Sequence, residues 1–138
     1  PAWLTLEVTE SAAMHDPEVA AAALRSFRDM GIAISMDDYG TGQSTLSYLK
    51  QLPLSELKID RSFVQFAHQN RGDGALVRST IDLAHELGLK VVAEGVEDAE
   101  CLQFLTSVGC DMAQGFLISK PVPAAEISAL VRLDRAAA

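Results

Sequence analysis

The chain has 138 residues, 49% of them hydrophobic and 22% charged, which suits one globular domain with a real core. A formal net charge of −8 argues against a DNA or RNA groove and against contact with an anionic membrane surface. Cys101 and Cys110 show no metal-ligand spacing, no apolar run approaches the ~20 residues of a membrane span, and no signal peptide opens the chain, so a reduced cytoplasmic domain is the expectation, although a parent protein could be membrane-anchored.

In chain order, residues 3–8 read as a strand, with Trp3, Thr5 and Glu7 on one face and Leu4, Leu6 and Val8 on the other. Asp16-Pro17-Glu18 is a helix start: an N-cap, a first-turn proline and an acid at the positive end of the dipole. Ala20, Leu24 and Phe27 follow at helical spacing, and Gly31 closes that helix. A second strand, Ile32 to Met36, runs into Asp37-Asp38-Tyr39-Gly40-Thr41-Gly42. Adjacent strand residues face opposite ways, so Asp37 and Asp38 reach one site only if the pleat ends there. Two carboxylates held close repel unless a cation neutralises them. A short helix is expected over 44–52, stopped by Pro53, and a third strand over 56–59 places Lys58 and Asp60 on one face. Residues 68–74 read as a mobile loop before a long helix over 75–87, with Leu76, Thr80, Leu83 and Leu87 as its stripe and Gly88 as its stop. A fourth strand over 90–93 ends at Glu94-Gly95-Val96-Glu97. A helix over 99–108, stopped by Gly109, and a short fifth strand over 111–113 lead to Gln114-Gly115-Phe116; Pro123 then opens a closing helix carrying Ile127, Leu130 and Val131. His15, His68 and His85 show no partner pattern.

Strands alternating with helices imply parallel pairing, in a (β/α) barrel or a doubly wound sheet. Glu7, Asp37, Lys58, Glu94 and Gln114 each sit at or just past the C-terminal end of a different strand. A barrel brings such positions to one mouth, as a metal-assisted active site requires, whereas an open sheet strings them along an edge. The expected fold is therefore α/β, a TIM-like (β/α) barrel, with residues 1–138 forming a single partial barrel domain of about five βα units. The N-terminal units of the ring are expected to lie outside this chain. Both strand faces are expected to be apolar below the mouth, leaving open edges that favour a homodimer. An all-oxygen ligand set suits Mg2+ or Mn2+, and no His or Cys stands at a strand end to favour zinc.

Leu6-Glu7-Val8-Thr9-Glu10, Asp37-Asp38-Tyr39-Gly40-Thr41-Gly42, Leu57-Lys58-Ile59-Asp60, Ala93-Glu94-Gly95-Val96-Glu97 and Gln114-Gly115-Phe116 together resemble the C-terminal part of the EAL domain, the bacterial phosphodiesterase that linearises cyclic di-GMP. That resemblance implies two metal ions. Glu7 and Asp37 would bind one, with Asp37 bridging to a second held by Asp38. Glu94 would be either a ligand of the second ion or the base acting on the attacking water. Lys58 would position that water or the phosphate, and Gln114, Asp60 and Glu97 would contact substrate. Glu10 would anchor the loop over 38–44. The resemblance further implies a sensor or cyclase domain N-terminal to this one in the parent protein. Tyr39 and Gln43 depart mildly from the family's loop pattern. The Glu-Ala-Leu triplet and a metal-binding Asn have no counterpart in the chain, so this segment alone is expected to be inactive.

Two other readings exist: a non-catalytic cyclic di-GMP receptor, and an enolase-like lyase. The intact acids Glu7, Asp37, Asp38 and Glu94 favour catalysis over a receptor, and a lyase leaves the loop over 38–42 without a task.

Overall fold

The computed structural model describes residues 2–39 and 49–128, apart from the side chain of Asp38. Five strands form one parallel sheet in the order β1 (Thr5–Thr9), β2 (Ala33–Tyr39), β3 (Glu56–Ile59), β4 (Lys90–Ala93) and β5 (Met112–Ala113). Each strand lies beside its predecessor. A doubly wound sheet reverses its strand order at a switch point, and the described sheet has no reversal; sequential order is that of a barrel wall.

Helices are α1 (Glu10–His15), α2 (Pro17–Asp29), α3 (Arg61–Val64), α4 (Arg71–Glu86) and α5 (Ala99–Ser107), with a further helical turn over 124–128. Their starts are written in side-chain chemistry. Asp16 Oδ1 accepts the Val19 N–H at 3.2 Å with Pro17 in the first turn, and Asp98 Oδ1 accepts the Cys101 N–H at 2.7 Å. The three expected helix stops have positive φ, 83° at Gly31, 73° at Gly88 and 79° at Gly109.

One sheet face meets the helices. Ile34, Met36, Leu57, Ile59 and Val91 are fully buried there with Leu24, Val64, Val77, Ile81 and Leu105, each large side chain contributing about 1.5–3 kcal/mol. The opposite face is not apolar below the mouth, contrary to expectation. Ser35 is fully buried beside Glu7 in the β1–β2 register, and Glu56 shares a cavity with Lys58.

Several elements differ from the sequence reading. β1 starts at Thr5, because pairing begins at Thr5–Ala33 and Trp3 is fully exposed. β2 continues through both aspartates to Tyr39. It takes three steps from Met36 to Tyr39 where β3 takes two, Leu57 to Ile59, so a bulge at Asp37–Asp38 replaces the expected strand end. The α1 helix went unread; Thr9 caps it, its hydroxyl accepting the Ala12 N–H at 3.3 Å.

The loop expected over 68–74 stops at Asn70, whose side chain caps α4 by accepting the Gly72 and Asp73 N–H groups at 2.8 and 3.3 Å. Gly74 lies inside α4, where only a glycine fits, since a Cβ would stand 2.6 Å from the Ala67 carbonyl oxygen. The α4 stripe is rotated accordingly: Val77, Ile81 and Ala84 are buried while Leu76 is exposed. His85 does have a partner, Asp111, at 2.8 Å; Asp111 also accepts the Val91 N–H, tying the α4 end to β4. Residues 44–48 of the expected helix over 44–52, and Leu130 and Val131, lie outside the described residues.

Candidate active site

The sheet delivers one functional side chain per strand, although Glu7 and Asp37 stand two residues short of the ends of β1 and β2 rather than at them as expected. Glu7 comes from β1, Asp37 from β2 at the bulge, Lys58 from β3, and Glu94 and Gln114 from the residues just past β4 and β5. Backbone hydrogen bonds stitch those ends together: Glu94 N–H to Ile59 O at 3.2 Å, Gln114 N–H to Ala93 O at 2.9 Å, Val96 N–H to Gln114 O at 3.0 Å. Gly115 permits the last crossing, since a Cβ there would fall into the backbone of Val96.

Lys58 is the hub. Its Nζ stands 2.8 Å from Glu7 Oε1, 2.6 Å from Glu94 Oε1 and 3.3 Å from Asp37 Oδ1. The lysine side chain is only 6% exposed, against 53% for Glu7, 22% for Asp37 and 21% for Glu94. Burial alone would lower its pKa; hydrogen bonds to Glu7 and Glu94 and the charges of Glu94 and Asp37 outweigh that, holding the ammonium well above the ordinary lysine range. The cation that close carboxylates need is thus supplied by the chain itself.

A cavity of about 470 Å3 opens beside the hub, lined by Glu7, Glu56, Lys58, Val92, Gln114 and Ser119 among others. A second, of about 340 Å3, adjoins it through Gln114 and Gly115 and is lined by Phe116, Lys120, Pro121 and Ile127. Lys120 Nζ stands 5.7 Å from the Phe116 ring centroid, a cation–π contact. The sequence reading left Phe116 and Lys120 without a role; an aromatic after Gln114-Gly115 and a lysine before Pro121 were the available signals.

Other expected site residues are held apart from the hub. Asp60 caps α3, its Oδ1 accepting the Ser62 N–H at 2.9 Å and the Ser62 hydroxyl. That hydroxyl contact, aided by the Ser62 and Arg61 N–H groups and opposed by desolvation, pulls Asp60 below the ordinary carboxylate range. No ion pair links it to Lys58 among the described residues. Glu97 meets Arg61 at 2.8 Å and Gln65 at 3.5 Å. Glu10 is a buried acid rather than a solvated one, 4% exposed at the head of α1. Its charge adds to the burial that raises the Tyr39 phenol above its usual pKa. Of the loop it was expected to anchor, residues 40–44 and the Asp38 side chain lie outside the described residues.

The donor chemistry fits a hard divalent cation. Glu7, Asp37 and Glu94 offer only carboxylate oxygens, and all three converge on one positive centre. They stand at hydrogen-bond distance from an ammonium rather than in the tighter shell of an ion, and among the described residues no preassembled metal cluster exists.

The EAL domain model matches residues 1–121. The chain belongs to the EAL domain family. It is 48% identical over 131 residues to the bifunctional diguanylate cyclase/cyclic di-GMP phosphodiesterase MucR of Pseudomonas aeruginosa, covering 95% of this chain and 19% of MucR. The solved MucR phosphodiesterase, a cyclic di-GMP complex, superposes with a TM-score of 0.88 at 48% identity, over 92% of this chain and 51% of that one. Klebsiella pneumoniae BlrP1, solved as a manganese and cyclic di-GMP complex, matches with a TM-score of 0.79 at 36% identity, over 85% of this chain and 30% of BlrP1. BlrP1 has also been solved with calcium and cyclic di-GMP. The chain therefore spans about half the MucR phosphodiesterase and a fifth of full-length MucR. Its five-stranded sheet is an arc of the EAL domain's TIM-like barrel.

Proposed function

We propose that the protein containing this chain is a metal-dependent phosphodiesterase that hydrolyses cyclic di-GMP to linear pGpG in bacterial second-messenger signalling. The observation that carries this reading is the Lys58 hub: three carboxylates and one buried ammonium meeting at the strand ends of an EAL-family sheet. A receptor that only held the nucleotide would have no use for four acids that repel it.

Glu7, Asp37 and Asp38 would hold two divalent ions, Mg2+ or Mn2+, with Asp37 serving both, and of its two expected roles Glu94 takes that of the base. Those ions, when bound, neutralise the phosphodiester and act as Lewis acids on it. Lys58, already centred among the carboxylates, donates to the phosphoryl oxygens where negative charge grows. Glu94 stands against Lys58 and accepts a proton from the attacking water. The water oxygen forms a bond to phosphorus as the P–O3′ ester bond breaks, and O3′ takes up a proton from solvent to become the free 3′-hydroxyl of the opened ring. Gln114, between the two cavities, contacts the nucleotide. Asp60 and Glu97 have their carboxylates engaged by α3 and Arg61, so we assign them to holding the rim rather than to direct substrate contact.

Residues 1–138 act in this reading as one partial-barrel unit, completed by further strands of the parent protein and coupled to an N-terminal sensor or cyclase domain. A homodimer and a cytoplasmic location complete the proposal; no helix among the described residues is long and apolar enough to cross a membrane. The test is incubation of the full-length protein with cyclic di-GMP and Mn2+ or Mg2+, separating products by chromatography. Binding without conversion would leave the receptor reading in place.

A further inference from the structure

Gly95 follows Glu94 directly and has φ 70°. The space a side chain would take there is filled by Arg61. A Cβ at Gly95 would stand 2.7 Å from Arg61 Cβ, 2.8 Å from Cδ, and closer still to Cγ. The arginine stem therefore lies flat on the Gly95 peptide. At its far end Nη2 meets Glu97 Oε1 at 2.8 Å, and Gln65 Nε2 meets the other Glu97 oxygen at 3.5 Å. One side chain thus spans the turn over 94–97 from its glycine to its final acid.

Arg61 is also fixed at its root. It is the first residue of α3, immediately after the cap Asp60 and three residues past Lys58. It joins two rim turns that carry the two halves of the shortest ion pair in the hub, Lys58 Nζ to Glu94 Oε1 at 2.6 Å. The backbone tie between those turns is a long hydrogen bond, Glu94 N–H to Ile59 O at 3.2 Å. Backbone hydrogen bonds pin the turn on either side, at Glu94 and at Val96, but Gly95 between them has no side chain of its own, and the Arg61 stem is what packs against it.

We propose that Arg61 is a positioning residue: through Gly95 and Glu97 it fixes the turn that aims Glu94 at the attacking water. The inference rests on the phosphodiesterase reading for its catalytic consequence, but not for its structural one. Arg61 is 54% exposed and Glu97 34%, so the ion pair contributes little to folding stability; what it determines is location.

Two variants of the full-length protein separate the possibilities. Arg61→Ala removes both stem and charge, whereas Arg61→Lys keeps a stem long enough to cover Gly95 and a cation to meet Glu97. Misplacing a reacting group by about 1 Å costs up to ~100-fold, so Arg61→Ala should lower kcat for cyclic di-GMP at saturating Mn2+ by about tenfold or more, with KM within about twofold. Arg61→Lys should recover most of kcat. In the metal-free protein, hydrogen exchange at the Glu94 and Val96 amides should quicken by about tenfold in Arg61→Ala while the β4 amides are unchanged. Wild-type kcat and exchange in Arg61→Ala would overturn the proposal, as would a raised KM at constant kcat, which would make Arg61 a substrate contact. Should the wild-type protein hydrolyse nothing, the phosphodiesterase reading fails, and the exchange experiment still decides the role of Arg61.

Discussion

Replacing Lys58 with methionine removes the ammonium while nearly preserving the stem, so the loss reports the charge. Three carboxylate oxygens within 3.3 Å then lose their counter-ion. Deleting one partner of a buried ion pair costs about 3–5 kcal/mol. Glu7 is 53% exposed, and Asp37 and Glu94 22% and 21%, so water screens part of the repulsion; about 2–3 kcal/mol is the expectation for the metal-free protein. Hydrogen exchange of the β3 amides under increasing denaturant reads this locally in a multidomain protein. With saturating Mn2+ the loss should shrink to below about 1 kcal/mol, because the ion neutralises the same oxygens. The pH dependence has a definite sign. The folded-state pKa of Lys58 is raised, so its stabilisation is complete below the ordinary lysine value of about 10.4 and is lost as pH rises through the folded-state value. The gap between wild type and Lys58→Met should therefore hold steady around neutrality and narrow only in strong alkali. A metal-free Lys58→Met protein as stable as wild type would refute the view that Lys58 is the internal counter-ion.

Asp37→Asn should abolish turnover, since in the proposed site the ligand shared by both ions would lose its charge and both would loosen; wild-type rates at saturating Mg2+ would remove Asp37 from the mechanism. Glu94→Gln should lower kcat by a large factor with the fold unchanged. Glu10→Gln should instead weaken apparent metal affinity, recoverable with added Mg2+, and ease Tyr39 ionisation as measured by ultraviolet titration; a loss that no Mg2+ concentration recovers would contradict an indirect role. Gly115→Ala drives a methyl into the Val96 backbone and should cost about 2–3 kcal/mol, with faster exchange at the Val96 and Leu117 amides.

Much of this was legible in the residues because each strand carries a charged or amide side chain toward or just past its C-terminal half. Glu94 and Asp37 each follow a largely apolar run, and the parallel register brings them to the side of the sheet that carries Lys58. Three features were not legible, for physical reasons. The bulge at Asp37–Asp38 is a mismatch between two strands, and neither strand records it alone. The head of α4 contains two glycines, which propensity reads as loop; the Asn70 cap and the approach of Ala67 to Gly74 override it. The polar floor at Ser35 and Glu56 was hidden because a buried hydroxyl and an acid beside a lysine look like any strand surface.

The most direct test of the central claim is the conversion of cyclic di-GMP by the full-length protein, followed with and without Mn2+ and in the Lys58→Met and Glu94→Gln variants. Linear pGpG is the expected product, formed only with a divalent ion and nearly lost in both variants. Metal-independent conversion, or turnover undiminished when Lys58 and Glu94 are replaced, would contradict it.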